Sequence, residues 1–121
     1  MILAAEPQLF VSDIAAACDW FGRIGFATAF VHGDPPFYAQ VARDGARLNL
    51  RHVEGPVFDA GFRAREEDAL AATITCDDAG ALHAEFAAAG VVFHQTFRTE
   101  SWGAQTFILA DPDGNLILFA G

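Results

Sequence analysis

Two stretches of the chain share one rhythm of apolar and polar positions. In "DIAAACDWFGRIGF", which begins at Asp13, residues Ile14, Ala17, Cys18, Phe21 and Ile24 recur at helical spacing; in "DAGALHAEFAAAGV", which begins at Asp78, Leu82, Phe86 and Ala89 do the same. Each stretch predicts a helix with one buried stripe, opened by an aspartate that caps the first turn and closed by a glycine suited to the left-handed C-terminal position. Asp19, Arg23, His83 and Glu85 then fall on the solvated faces. The two stretches align at a single offset of 65, pairing Asp13 with Asp78, Ala16 with Ala81, Phe21 with Phe86 and Gly25 with Gly90. A common frame ending on the same glycine marks an internal repeat, and a repeat dictates the fold.

Alternating segments flank both helices. Ile2–Val11 and Leu70–Cys76 precede them; Phe26–Val31, Tyr38–Arg43 and Ala46–Val53 follow the first, and Val92–Phe97, Ala104–Ala110 and Asn115–Phe119 follow the second. Each half therefore reads β-α-β-β-β, and the fold class is α+β. The expectation is one domain, 1–121, built of modules at about 1–56 and 66–121, with Glu54–Asp68 as the crossover between them. Asp44-Gly45 is a two-residue hairpin turn, because both residues tolerate positive φ. It sets the register: Arg43 opposite Ala46, Val41 opposite Leu48, Gln40 opposite Asn49, Tyr38 opposite Arg51. Ala39, Val41, Leu48 and Leu50 then cover the helix. Tyr38, Gln40, Arg47, Asn49 and Arg51 occupy the other face, as Glu6, Gln8 and Phe10 do in the first strand. If two such sheets meet and curve, that polar face lines a hollow.

Composition narrows the partners. With 53% hydrophobic and 19% charged residues, the 121-residue chain can bury a real core. Seven Lys+Arg against 16 Asp+Glu offer no basic stripe for nucleic acid or anionic lipid, and any charge selection favours a cation. No apolar run has membrane-spanning length and the N-terminus lacks the pattern of a secretory signal, so a cytoplasmic protein is expected. Cys18 and Cys76 have no paired spacing and are expected to be free thiols. No GxSxG, phosphate-cradling glycine loop or Cys-His motif is present.

"PQLFVSDIAAACDWFGRIGF", "YAQVARDGARLNL" and "SWGAQTFILADPDGNLILF", with the repeat between them, resemble the vicinal oxygen chelate superfamily of glyoxalase I, extradiol dioxygenases and bleomycin resistance proteins. "VARDGARL" and "SWGAQTFILADPDGN" are most similar to the drug-binding resistance proteins. The resemblance implies paired βαβββ modules, a cup-shaped mixed sheet with helices on its outer face, and a homodimer that completes the cleft. Metal-dependent members place a His, Gln or Glu on each of four strands. Those positions fall here on Glu6, Asn49, Ala71 and Leu118, of which only Glu6 is a good ligand. His32, His52, His83 and His94 supply no evident substitute. Neither a metal nor another cofactor is expected.

The resemblance thus implies a protein that binds and sequesters an aromatic, cationic, antibiotic-like small molecule. Its ligand-binding residues would be Glu6, Gln8, Phe37, Tyr38, Asn49, Arg51, Glu100, Trp102 and Leu118, with Trp102 stacking on a planar ligand and Glu6 and Glu100 supplying negative charge. The competing expectation is an enzyme of the same superfamily, a lyase, isomerase or dioxygenase with an atypical metal set. Glu6 would be its general base, although an acid there also finds partners in Arg47 or Arg51.

Overall fold

The computed structural model describes residues 1–121 and divides into two compact units, Met1–Val57 and Phe58–Gly121. The first contains β1 (Gln8–Val11), α1 (Ile14–Arg23), β2 (Ala27–His32), β3 (Tyr38–Arg43) and β4 (Ala46–His52). The second contains α2 (Ala60–Arg65), β5 (Leu70–Thr75), α3 (Ala79–Ala88), β6 (Phe93–Thr99), β7 (Gln105–Ala110) and β8 (Leu116–Ala120). Strand order is β1-β4-β3-β2 in one sheet and β5-β8-β7-β6 in the other. The first strand of each module pairs in parallel with the last, and the remaining neighbours are antiparallel. These are two βαβββ modules of one topology, each a mixed sheet.

The repeat persists in the helix ends. The Asp13 carboxylate accepts from the Ala16 amide at 3.0 Å, and the Asp78 carboxylate from the Ala81 amide at 2.9 Å. Gly25 and Gly90 follow the helices with φ of 82° and 77°, where a side chain would be strained.

In the first unit α1 buries Ile14, Ala17, Trp20 and Phe21 against Leu9, Val11, Ala39, Val41, Leu48 and Leu50. Trp20 meets Phe21 edge to face at 5.0 Å, whereas Cys18, expected in the buried stripe, is only half-buried. In the second unit Phe86 of α3 meets Phe107 and Phe119 edge to face at 5.8 and 5.3 Å, and those two rings stack at 5.0 Å. Each buried ring stabilises its unit by roughly 1.5–3 kcal/mol relative to an exposed one.

Three elements differ from the alternation pattern. Strand pairing begins at Gln8 rather than Ile2: Met1, Ile2 and Leu3 are exposed, and the ladder with β4 starts at Gln8 opposite Asn49. The crossover contains a helix, α2, capped by the Asp59 carboxylate on the Phe62 amide. His83, expected on a solvated face, instead stacks on Phe93 at 4.3 Å, with its Nε2 3.1 Å from the Thr96 hydroxyl. Ala89, expected in the buried stripe of α3, is exposed.

Candidate functional site

The sheet face turned away from α1 carries two rows of side chains that cross all four strands. The backbone register of one is Gln8–Asn49–Gln40–Phe30, and of the other Phe10–Arg51–Tyr38–His32. The β3–β4 pairing is the one dictated by the Asp44-Gly45 turn, with Asp44 at φ 50°. In β2 the register shifts between Thr28 and Phe30, which brings Phe30 opposite Gln40 and His32 opposite Tyr38. Three rings therefore gather at one end of the rows. Phe30 lies 4.9 Å from His32 and 5.9 Å from Tyr38, with interplanar angles of 33° and 31°.

Beside the rings lies a polar cluster. The Asn49 amide nitrogen of the backbone donates to the Pro7 carbonyl at 2.9 Å, which holds the preceding residue, Glu6, alongside Asn49. Gln40 Nε2 donates to Asn49 Oδ1 at 2.9 Å and to Glu6 Oε1 at 3.3 Å; Asn49 Nδ2 reaches the same Glu6 oxygen at 3.5 Å. Arg47 lies 3.9 Å from the other Glu6 oxygen. The Glu6 carboxylate is thus shared by two amides and a guanidinium. A hollow of about 250 Å³ opens beside it, with Leu3, Ala5, Asp44 and Arg47 on the wall.

The corresponding face of the second unit is more apolar. Its rows are Gln95–Ile108–Leu118–Thr73 and Arg98–Thr106–Ala120–Thr75. Gln95 Nε2 donates to the Thr106 hydroxyl at 3.1 Å, which donates in turn to Glu100 Oε1 at 2.9 Å. Arg98 Nε meets that oxygen at 2.7 Å. The Arg98 and Thr106 hydrogen bonds hold the Glu100 carboxyl below its ordinary pKa.

The structure therefore places Glu6, Gln8, Tyr38, Asn49 and Arg51 on one sheet face. Phe37, 54% exposed, precedes β3 and lays its ring over Gly33. Leu118 lies half-buried in the middle of the second sheet, and Glu100 lies between Arg98 and Thr106. Trp102 is 75% exposed at the tip of the β6–β7 loop, a turn closed by Glu100 and Ala104 at 2.7 Å and by Gly103 and Glu100 at 2.9 Å. Phe30 and His32 were not evident as site residues because strict alternation hides the bulge; a run of ring-bearing residues in "FATAFVHGD" was the available sign.

The donor set does not fit a divalent ion of the kind that metal-dependent relatives bind. Asn49 Oδ1 is engaged by Gln40, and Ala71 and Leu118 carry no donor atom. No group of three or more His, Cys, Asp and Glu side chains is arranged to hold a metal.

The family model of the Glyoxalase/Bleomycin resistance protein/Dioxygenase superfamily matches residues 4–119, and the chain belongs to that superfamily. Among solved structures it is similar to a bleomycin-binding protein complexed with bleomycin, at 19% identity and TM-score 0.80 over 98% of both chains. It is also similar to the bleomycin-binding protein of bleomycin-producing Streptomyces verticillus complexed with copper(II)-bleomycin, at 26% identity and TM-score 0.74, covering 98% of this chain and 95% of that one. A glyoxalase-related enzyme from Clostridium phytofermentans matches at 19% identity and TM-score 0.76, covering 99% and 95%. The search of curated proteins returns no match. No helix is long and apolar enough to cross a membrane.

Proposed function

We propose that this protein binds and sequesters a planar aromatic, cationic, antibiotic-like small molecule without a metal ion, and that it does so as a homodimer in the cytoplasm. The observation that carries this proposal is the set of rings Phe30, His32 and Tyr38 gathered beside the Gln40–Asn49–Glu6 amide and carboxylate cluster on one sheet face. Rings supply a flat apolar wall for stacking, while fixed amides orient the ligand's polar edge. Trp102, exposed on its loop, adds a large ring at little cost in conformational entropy. Attraction of a cation comes from the whole chain, net charge −9, more than from Glu6 and Glu100, which are already paired with Arg47 and Arg98. The likeness to bleomycin-binding proteins supports the ligand class.

Tryptophan emission tests this directly. Trp20 is buried and gives a constant background, so titration of chelator-treated protein with copper-free bleomycin is expected to change Trp102 emission saturably at micromolar ligand. Trp102→Ala should weaken binding at least tenfold, about 1.4 kcal/mol, and leave stability within about 0.5 kcal/mol. No saturable response to bleomycin or related glycopeptides would refute sequestration of this ligand class.

A further inference from the structure

Arginine is scarce in this chain, and most of its arginines are already engaged. Arg47 pairs with Glu6 and Arg98 with Glu100; Arg43 donates to the Ile24 carbonyl at 2.9 Å, and Arg63 to the Gly114 carbonyl at 2.8 Å. Arg51 differs from all four. It is exposed on the face opposite α1 and makes no hydrogen bond or ion pair, although the chain has 16 acids for 7 bases. It stands in register between Phe10, which is 47% exposed, and Tyr38, with His32 one strand further. No acid shares that row. The Glu6 carboxylate on the same face is taken up by Gln40, Asn49 and Arg47.

A guanidinium is a planar fork that meets a carboxylate through two parallel hydrogen bonds, and neighbouring strands about 4.8 Å apart put an aromatic side chain on either side of it. An oxyanion attached to a flat ring matches both features: the charge meets Arg51 and the ring lies against Tyr38 or Phe10. We propose that Arg51, flanked by Phe10 and Tyr38, is a recognition subsite for a carboxylate carried on an aromatic ring, so that the ligand of this face bears an acidic group. This rests on the proposed role of the face in binding small molecules and adds one preference to it, for a carboxylate at Arg51. A cationic group elsewhere on the ligand remains compatible with it.

The test compares three probes of one shape, 2-naphthoate, 2-naphthamide and 2-naphthylmethylammonium, titrated at neutral pH into the full-length protein and followed by backbone amide shifts. In the wild type the carboxylate is expected to bind at least tenfold more tightly than the amide, with shifts at Phe10, Tyr38 and Arg51. Arg51→Gln should bring that ratio close to one, and Arg51→Lys should keep part of it, because a point charge replaces a fork. Both substitutions are at an exposed position, and an unchanged amide spectrum elsewhere confirms the fold. Equal binding of carboxylate and amide, preference for the ammonium, or a preference that survives Arg51→Gln would overturn the subsite and leave the proposed aromatic binding standing. Absence of shifts on this face with all three probes would overturn both.

Discussion

Arg63 of α2 donates to the backbone carbonyl of Gly114, 51 residues further along the chain, at 2.8 Å. Its guanidinium also lies 4.4 Å from the centroid of the Phe58 ring and reaches the Glu66 and Ala69 carbonyls at 3.3 and 3.4 Å. One side chain thus fastens the short crossover helix to the turn between β7 and β8. Arg63→Met is expected to destabilise the protein by about 1–3 kcal/mol through the lost charged hydrogen bonds. Arg65→Met, exposed on the same helix, should change stability by less than about 0.5 kcal/mol. Denaturant unfolding of both variants measures the contrast, and equal losses would contradict it.

The same turn contains a buried acid. Asp111 Oδ1 accepts from the backbone amides of Asp113 at 3.0 Å and Asn115 at 2.7 Å, and Oδ2 accepts from Asn115 Nδ2 at 2.9 Å. Asp111→Ala strands those donors and should cost about 2–4 kcal/mol in chemical unfolding.

Burial raises the Asp111 pKa above its ordinary value of 3.8, although its hydrogen bonds oppose the shift. The folded state therefore favours the neutral acid. The stability contributed by this shift is complete below the unfolded pKa and is lost as pH rises through the folded one. The unfolding free energy of wild type relative to Asp111→Asn should consequently fall as pH is raised from below 3.8. A difference that rises or stays flat would contradict this assignment.

Glu100 shifts the other way. Its carboxyl is held below the ordinary 4.5, first by the Arg98 hydrogen bond and then by the Thr106 hydroxyl. Its contribution to stability is present above the unfolded pKa and lost as pH falls through the folded one. Arg98→Met should move the Glu100 midpoint upward, observable by carbon NMR of the side-chain carboxyl. An unmoved midpoint would show that Arg98 does not set it.

How far the fold was legible depended on which partner each segment needed. The β3–β4 register followed from two turn residues because a tight hairpin leaves no freedom to slip, and Asp13 and Asp78 marked their helices through local hydrogen bonds alone. Ile2–Ala5 is an unbroken apolar run that suits a buried strand, but a strand also needs a neighbour, and an apolar run does not report one. The six-residue α2 is too short for a periodic pattern and owes its place to Arg63 and to the Asp59 cap. His83 was misplaced because α3 is rich in alanine, which leaves its buried side poorly defined in the sequence.

Legibility of the site divided along similar lines. Tyr38, Asn49 and Arg51 came with the hairpin, whereas Phe30 and His32 reach the same face only through the β2 bulge. The "DPDGN" stretch, so distinctive in sequence, is explained by structure: Asp111 and Asn115 tie the turn to itself and Gly114 ties it to Arg63.

The proposed binding mode has the sheet face opposite α1 gripping an aromatic ligand by stacking and hydrogen bonding, with no ion between them. Amide shift mapping of chelator-treated protein during titration with copper-free bleomycin is the decisive experiment. Saturable shifts are expected at Phe30, His32, Tyr38, Gln40 and Asn49 with excess chelator present throughout. Shifts confined to α1, or none on this face while the chelator is present, would refute it.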